Sequence, residues 1–252
     1  MARRLVPKFG SSGKTTDLVK GSKGMFIIGR HSDRSNELPS GINPVGEKRA
    51  AWSASKLPRG MTLHLRTAPK TRHRTTAGIV FEKYPGSKGT NAELASLNID
   101  SYAKDMGEVE RLMKTIGDPK VTKMWLSGEI GANVMVPAKE VGKTILNDVF
   151  SEFKKSEITG RKNLLVAVSS TGAEGAILKS LGIDPEKLVP KKVNKKLSSN
   201  PNAMPRVNAG DLLRYTEGML FFVGPKNELV MKFRGRPFRI IKVNGTLTAK
   251  PM

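Results

Sequence analysis

The chain has no cysteine, which excludes a disulfide framework and a thiolate metal site and fits a reducing compartment. Histidine is also scarce. His31, His64 and His73 are the three present, and none lies in a His-x-x-x-His or Glu-x-x-His pattern, so neither a metal centre nor a cofactor is expected. No apolar run approaches the roughly 18 residues of a membrane span, and the N-terminus lacks the apolar h-region of a secretory signal, so no membrane contact is expected. Gly-x-Ser-x-Gly is absent, which excludes a nucleophile elbow. Aromatic residues make up 6% and hydrophobic residues 38% of the 252, enough for a proper but modest core.

Acidic residues are the next shortage. There are 22 Asp/Glu against 44 Lys/Arg, a net charge of +22. Residues 1–75 hold 16 Lys/Arg against 4 Asp/Glu, a net of +12; residues 186–252 hold 14 against 4, a net of +10; residues 76–185 balance at 14 against 14. This segregation predicts three parts: an extended basic, Gly/Pro-rich arm over 1–75, a charge-neutral α+β body over 76–185, and a basic loop with an antiparallel β-meander over 186–252.

Near the start, Gly10-Ser11-Ser12-Gly13-Lys14-Thr15-Thr16 ends like a phosphate-binding loop. The required first glycine falls at Lys8, no buried strand precedes it, and Gly21 to Gly24 interrupts the helix that should follow, so the motif is rejected. Met25 to Ile28 and Met61 to Leu65 are short apolar runs within the basic segment. Ala77 to Tyr84 reads as a strand ended by Pro85-Gly86, and Ser101 to Ile116 as a helix stopped by Gly117. From Pro137 to Lys155 apolar residues at 141, 145, 146, 149, 150 and 153 draw one stripe at helical period. A strand at Asn163 to Val168 and a short helix from Ala173 to Leu181 follow. After the basic stretch Lys191 to Asn202, strands at 219–223, 228–233 and 238–243 are separated by turn residues, with Asn244-Gly245 as a hairpin signal.

Catalytic signals are weak in this pattern. Glu108 with Glu110, and Asp148 with Glu152, sit among lysines on predicted helices and read as solvated faces. Val168 to Ala173 joins a strand to a helix and could cradle an anion at the helix start, but it lacks dinucleotide-site glycine spacing and reads first as a helix cap. No catalytic residue is assigned, and the expectation is a protein that is not an enzyme. The basic residues Arg3, Arg4, Lys8, Lys14, Arg72, Arg74, Lys191, Lys192, Lys195, Lys196, Arg234, Arg236 and Arg239 are the expected contacts to nucleic-acid backbone or to acidic protein neighbours. Two readings fit them: a structural protein of a nucleic-acid-filled particle, or a ribosomal or other sequence-independent RNA-binding protein.

Helices followed by a β-meander, with Ala68-Pro69-Lys70-Thr71 and then Thr76-Ala77-Gly78, resemble the tail-completion or neck proteins of tailed phages. In that family the Ala-Pro, Thr-Gly loop follows the main helix, whereas here it precedes the helices; the likeness covers residues 76–252 in element types. The resemblance implies an α+β subunit of a homo-oligomeric ring between head and tail, contacting neighbouring virion proteins and located in the virion, with the ribosome as the alternative location, and with no catalytic residues to carry over.

Overall fold

The computed structural model describes residues 15–30, 38–157, 162–184, 218–243 and 246–252. Helix α1 (Thr15–Gly21) leads into strand β1 (Gly24–Arg30), then come α2 (Pro44–Lys56), β2 (Thr62–Thr67), α3 (Thr71–Lys83) and β3 (Ser87–Glu93). Two short 3-10 turns, Ala95–Leu97 and Ile99–Tyr102, precede α4 (Met106–Ile116), α5 (Asp118–Ser127) and α6 (Ala138–Lys155). The chain continues through β4 (Asn163–Ser169), α7 (Thr171–Ser180), β5 (Gly218–Val223), β6 (Leu229–Phe233), β7 (Arg236–Val243) and β8 (Thr246–Pro251).

All eight strands form one sheet in the order β3-β2-β4-β1-β5-β6-β7-β8. The ladders among β3, β2, β4 and β1 are parallel, and those from β1 through β8 are antiparallel. Parallel strands need crossover helices, which here cover both sheet faces and bury β2 and β4 completely while the edge strand β3 stays exposed. Alternation along the strands sends Met25, Leu63, Leu65, Leu164 and Val166 to one face, under Leu18, Ala50, Ala54, Ala77 and Val80 of α1 to α3. Phe26, Ile28, Leu165 and Ala167 go to the other, under α4 to α7 with Trp125, Val141, Ile145, Val149, Phe153 and Ile177. Phe26 stacks on Phe221 at 4.5 Å between ring centres, which ties the parallel half to the antiparallel half.

The fold is therefore a mixed α/β sandwich, agreeing with the expected mixture of helices and strands only in that general sense. The extended arm is corrected: residues 24–75 carry β1, α2, β2 and the start of α3, and the two short apolar runs are central strands. Strand β2 is buried at all six positions. Parallel strands covered on both sides need only about six residues, so a run of four or five apolar residues suffices for each. Ala77 to Tyr84 is not a strand either. It belongs to α3, whose buried residues His73, Thr76, Ala77 and Val80 keep helical spacing. The expected helix from Ser101 starts at Met106 behind the 3-10 turn, with Asp105 capping it through the Glu108 amide at 2.9 Å. The stretch from Lys191 to Asn202 and the hairpin signal Asn244-Gly245 lie outside the described residues.

Along α6 the sequence stripe is the buried face: Val141, Ile145, Leu146, Val149 and Phe153 are buried. A Cβ at Gly142 would sit 2.0 Å from the Ala176 carbonyl oxygen, so α6 and α7 cross backbone to backbone there. Phe153→Ala, which empties a fully buried site, is expected to cost about 3–5 kcal/mol of unfolding free energy. Phe150, half-buried, costs less, and denaturant midpoints of the two variants check the order.

At the β3 edge Leu63 pairs with Lys88 and Leu65 with Asn91, so His64 faces a two-residue bulge. A Cβ at Gly89 would meet the His64 ring at 2.3 Å, which requires glycine. The Thr90 amide donates to His64 Nδ1 at 3.2 Å, so the neutral ring carries its proton on Nε2. Burial first, and then the nearby Arg66 charge, hold the His64 imidazole below its ordinary 6.5. Arg66 donates to Thr90 Oγ1 at 2.9 Å and to Glu152 Oε2 at 2.8 Å, and Lys155 and then Arg66 keep the Glu152 carboxyl below its usual range. Because the folded state favours neutral His64, the stability it contributes is full above 6.5 and lost as pH falls through the lowered native value. Urea unfolding between about pH 8 and about pH 5 should show a smaller loss in His64→Gln than in the parent; equal losses would exclude this residue as the source.

Candidate functional site

Strand β4 lies between β2 and β1, yet its connection leaves for the opposite face. The chain after β1 and β2 enters α2 and α3 on one side of the sheet, and the chain after β4 enters α7 on the other. Such a reversal opens a crevice at the carboxyl ends of the strands, the usual ligand position in open α/β sheets.

The residues there come from distant parts of the chain. Arg30, the last residue of β1, is the register partner of Ser169, the last residue of β4. Thr67 ends β2 beside Val168, and the Ala68 amide continues the ladder to the Val168 carbonyl at 3.1 Å. Arg30, half-buried, shares the sheet face of Phe26 and Ile28, as Ser169 does with Leu165 and Ala167. Ser169 Oγ donates to the Leu97 carbonyl at 2.8 Å, fastening the 3-10 turn after β3 over the end of β4.

Two helices begin at this edge. Helix α3 starts after Lys70 and α7 after Ser170, and neither cap residue makes a side-chain cap hydrogen bond. Their first amides thus carry no side-chain cap at this edge, where the positive ends of both helix dipoles lie, worth roughly half a unit charge each. Arg72, in the first turn of α3, adds a half-buried guanidinium. The loop before α2 presses on its backbone, since a Cβ at Gly41 would lie 3.0 Å from Arg72 Cβ and N, and Thr75 Oγ1 donates to the Ser40 carbonyl at 2.8 Å. Of the nearby carboxylates, Asp100 pairs with Lys70 and Glu93 with Arg74 at 2.5 Å, and Glu174 lies fully buried in the first turn of α7. The crevice thus gathers amides, hydroxyls and guanidinium groups, a set suited to a compact oxyanion. Among the described residues no three His, Cys, Asp or Glu side chains group as a metal site would require.

Of the five expected contact residues among the described residues, Arg72 alone is at this crevice. Arg74, on the same helix, is exposed and paired with Glu93. Arg234, Arg236 and Arg239 lie on the β6–β7 turn and on β7, five strand positions from β2, roughly 24 Å at the usual strand spacing. Arg3, Arg4, Lys8, Lys14, Lys191, Lys192, Lys195 and Lys196 lie outside the described residues. Sequence reasoning noticed Ala68-Pro69-Lys70-Thr71 and Val168 to Ala173 but treated them separately, and it missed Arg30. The available signal was a run of apolar residues, Phe26-Ile27-Ile28, passing directly into Gly29-Arg30-His31. His31 is one peptide bond beyond Arg30, and its side chain lies outside the described residues.

No family model and no curated protein matches the chain. Solved structures with a similar chain path include a phosphoserine phosphatase mutant from Entamoeba histolytica in complex with phosphoserine, at 15% identity and a TM-score of 0.44, covering 90% of this chain and 95% of that one. Phosphoglycerate mutase from Plasmodium falciparum matches at 14% identity and a TM-score of 0.40, covering 91% and 98%. A phytase from Klebsiella sp. ASR1 matches at 8% and 0.42, covering 92% and 89%. These neighbours are members of the histidine phosphatase superfamily; at such identities and TM-scores the likeness is one of general chain path. They are enzymes, not phage neck, virion or ribosomal proteins. The reading of this chain as a non-enzymatic neck or tail-completion subunit of a virion is corrected accordingly, and so is its ribosomal, RNA-binding alternative. The phage resemblance rested on Ala68-Pro69-Lys70-Thr71, which is the turn from β2 into α3 at the crevice.

Ser169 is the fastening that can be tested without touching a charge. Ser169→Ala removes one buried hydrogen bond and leaves the Leu97 carbonyl without its donor, an expected cost of about 1–3 kcal/mol. Hydrogen exchange should show increased opening of residues 95–98, with the amides of β4 still protected.

Proposed function

We propose that the chain binds a phosphate monoester at the carboxyl edge of β1, β2 and β4 and transfers its phosphoryl group to water. The observation carrying this reading is the convergence of two helix starts without side-chain caps, α3 and α7, on the edge that holds Arg30 and Arg72. The four groups come from three strand ends, so their meeting is a product of the topology rather than of one basic segment. Preorganised amides and guanidinium groups of this kind stabilise the charge on the equatorial oxygens during phosphoryl transfer.

His31, next after Arg30, is assigned as the nucleophile. A ring nitrogen attacks phosphorus, the bond from phosphorus to the ester oxygen breaks, and the alcohol leaves with a proton from solvent. Water then attacks the phosphorus of the phosphorylated histidine, the P–N bond breaks, and phosphate and a proton are released. Solvent is given the protonation step because Asp100 and Glu93 are held in ion pairs with Lys70 and Arg74. The strands from β5 to β8 are read as a C-terminal meander that braces β1 from its far side.

The test is hydrolysis of p-nitrophenyl phosphate, whose leaving group needs no acid, together with calorimetric binding of inorganic phosphate. Arg30→Ala and Arg72→Ala should each lose turnover by about 10²–10³-fold and weaken phosphate binding. His31→Ala should abolish turnover while still binding phosphate. Phosphate binding without turnover in the parent would leave a binding module in place of an enzyme, and binding unchanged in both arginine variants would remove this crevice from consideration.

A further inference from the structure

The antiparallel end of the sheet presents an open face that the phosphoester crevice does not use. Residues 218–252 hold seven Lys/Arg (Lys226, Lys232, Arg234, Arg236, Arg239, Lys242, Lys250) against one acid, Glu228, a net of +6. Helices α1 to α3 cover their sheet face as far as Phe222 of β5 and Val230 of β6. Among the described residues, no side chain of β7 or β8 joins that buried cluster. Register puts Arg239 opposite Lys250 and Ile241 opposite Thr248 on this uncovered face, with Val230 as the other neighbour of Arg239. Arg239 and Lys250 are both exposed.

A pair of like charges directly opposite across two strands is destabilising by itself. Arg236 and Lys242 alternate with Arg239 along β7 and share the opposite face with Phe238 and Ile240, whereas Lys232 of β6, at the parity of Val230, lies on the same face as Arg239. Beside it, the two-residue turn between β6 and β7 puts Arg234 at φ +48, a left-handed conformation that disfavours an L side chain. A repulsive cationic row on an uncovered sheet fits an occupant that supplies a row of negative charges. Residues 185–217, which lie outside the described residues, are themselves basic, with seven Lys/Arg against three Asp/Glu, so their charge does not complement this face. Among the described residues of β7 and β8 no aromatic side chain is exposed for an unpaired base to stack on, which argues against a single-strand reader at this face.

We infer that the β7–β8 face is a docking surface for the phosphate backbone of duplex DNA, used without base recognition. Arg239 and Lys250 supply the contacts. The phosphates neutralise the cross-strand repulsion, and binding is set by counterion release. This surface is independent of the crevice at Arg30.

The experiment uses the full chain and a mixed-sequence duplex of about 20 base pairs, followed by fluorescence anisotropy over a salt series. The comparison is with Arg239→Ala/Lys250→Ala and with the charge-preserving Arg239→Lys/Lys250→Arg. Loss of two phosphate contacts should flatten the log–log salt slope by about 2 in the alanine variant, whatever the other basic segments contribute. The charge-preserving variant should keep the parent slope, and p-nitrophenyl phosphate turnover should not change in either. Melting temperature should hold or rise in the alanine variant, because the repulsion is gone. An unchanged slope in the alanine variant overturns the proposal. So does tighter binding, at matched salt, to vesicles containing phosphatidylserine or to structured RNA than to the duplex.

Discussion

Strand β1 has to satisfy two incompatible neighbours at once, and the rest of the molecule is arranged around that requirement. On one side it pairs in parallel with β4, on the other antiparallel with β5. The first pairing demands a long crossover and the second does not, so the parallel half supplies the crossover helices, which also reach over the neighbouring antiparallel strands at Phe222 and Val230. Phe26, at the middle of β1, meets Phe221 of β5 and Phe153 of α6, and through that contact the two halves share one core. Because β1 is central, its last residue is delivered to the place where the connections diverge. Arg30 is thus where it is because of hydrophobic burial many residues away from it.

The same logic explains the crevice. The residues that line it are separated by about 40 and then about 100 positions in the chain, and only the insertion of β4 between β1 and β2 makes them neighbours. Each one is locally ordinary: a turn with proline, a serine before a helix, an arginine after an apolar run. Their chemistry is collective, as the uncapped starts of α3 and α7 show, since either alone would be a plain helix end.

What was legible beforehand follows from how much information each element carries locally. Helix α6 announces itself through eighteen residues with one apolar stripe, and β4 through an unbroken apolar run. The central strands β1 and β2 are short and lie among lysines, arginines and glycines, so a charge count over the first 75 residues hid them inside a supposed arm. In α3 the run Ala77-Gly78-Ile79-Val80-Phe81 has strand-like composition, but tertiary contacts at His73, Thr76, Ala77 and Val80 decide for the helix. The crevice could not be read because parallel pairing is non-local: nothing near Arg30 in the chain points to Ser169.

The bulge at Gly89 and Thr90 lies on the outermost parallel strand, β3, whose residues are exposed throughout. A strand kinked in this way and carrying Lys88 and Glu93 is a poor template for another chain. The sheet is left with one straight border, β8. Growth by strand addition needs two usable borders on every copy, one to receive and one to offer. With a single one, two molecules can join border to border and nothing remains to extend them. The histidine that shapes the bulge thereby also makes β3 a poor border for strand addition.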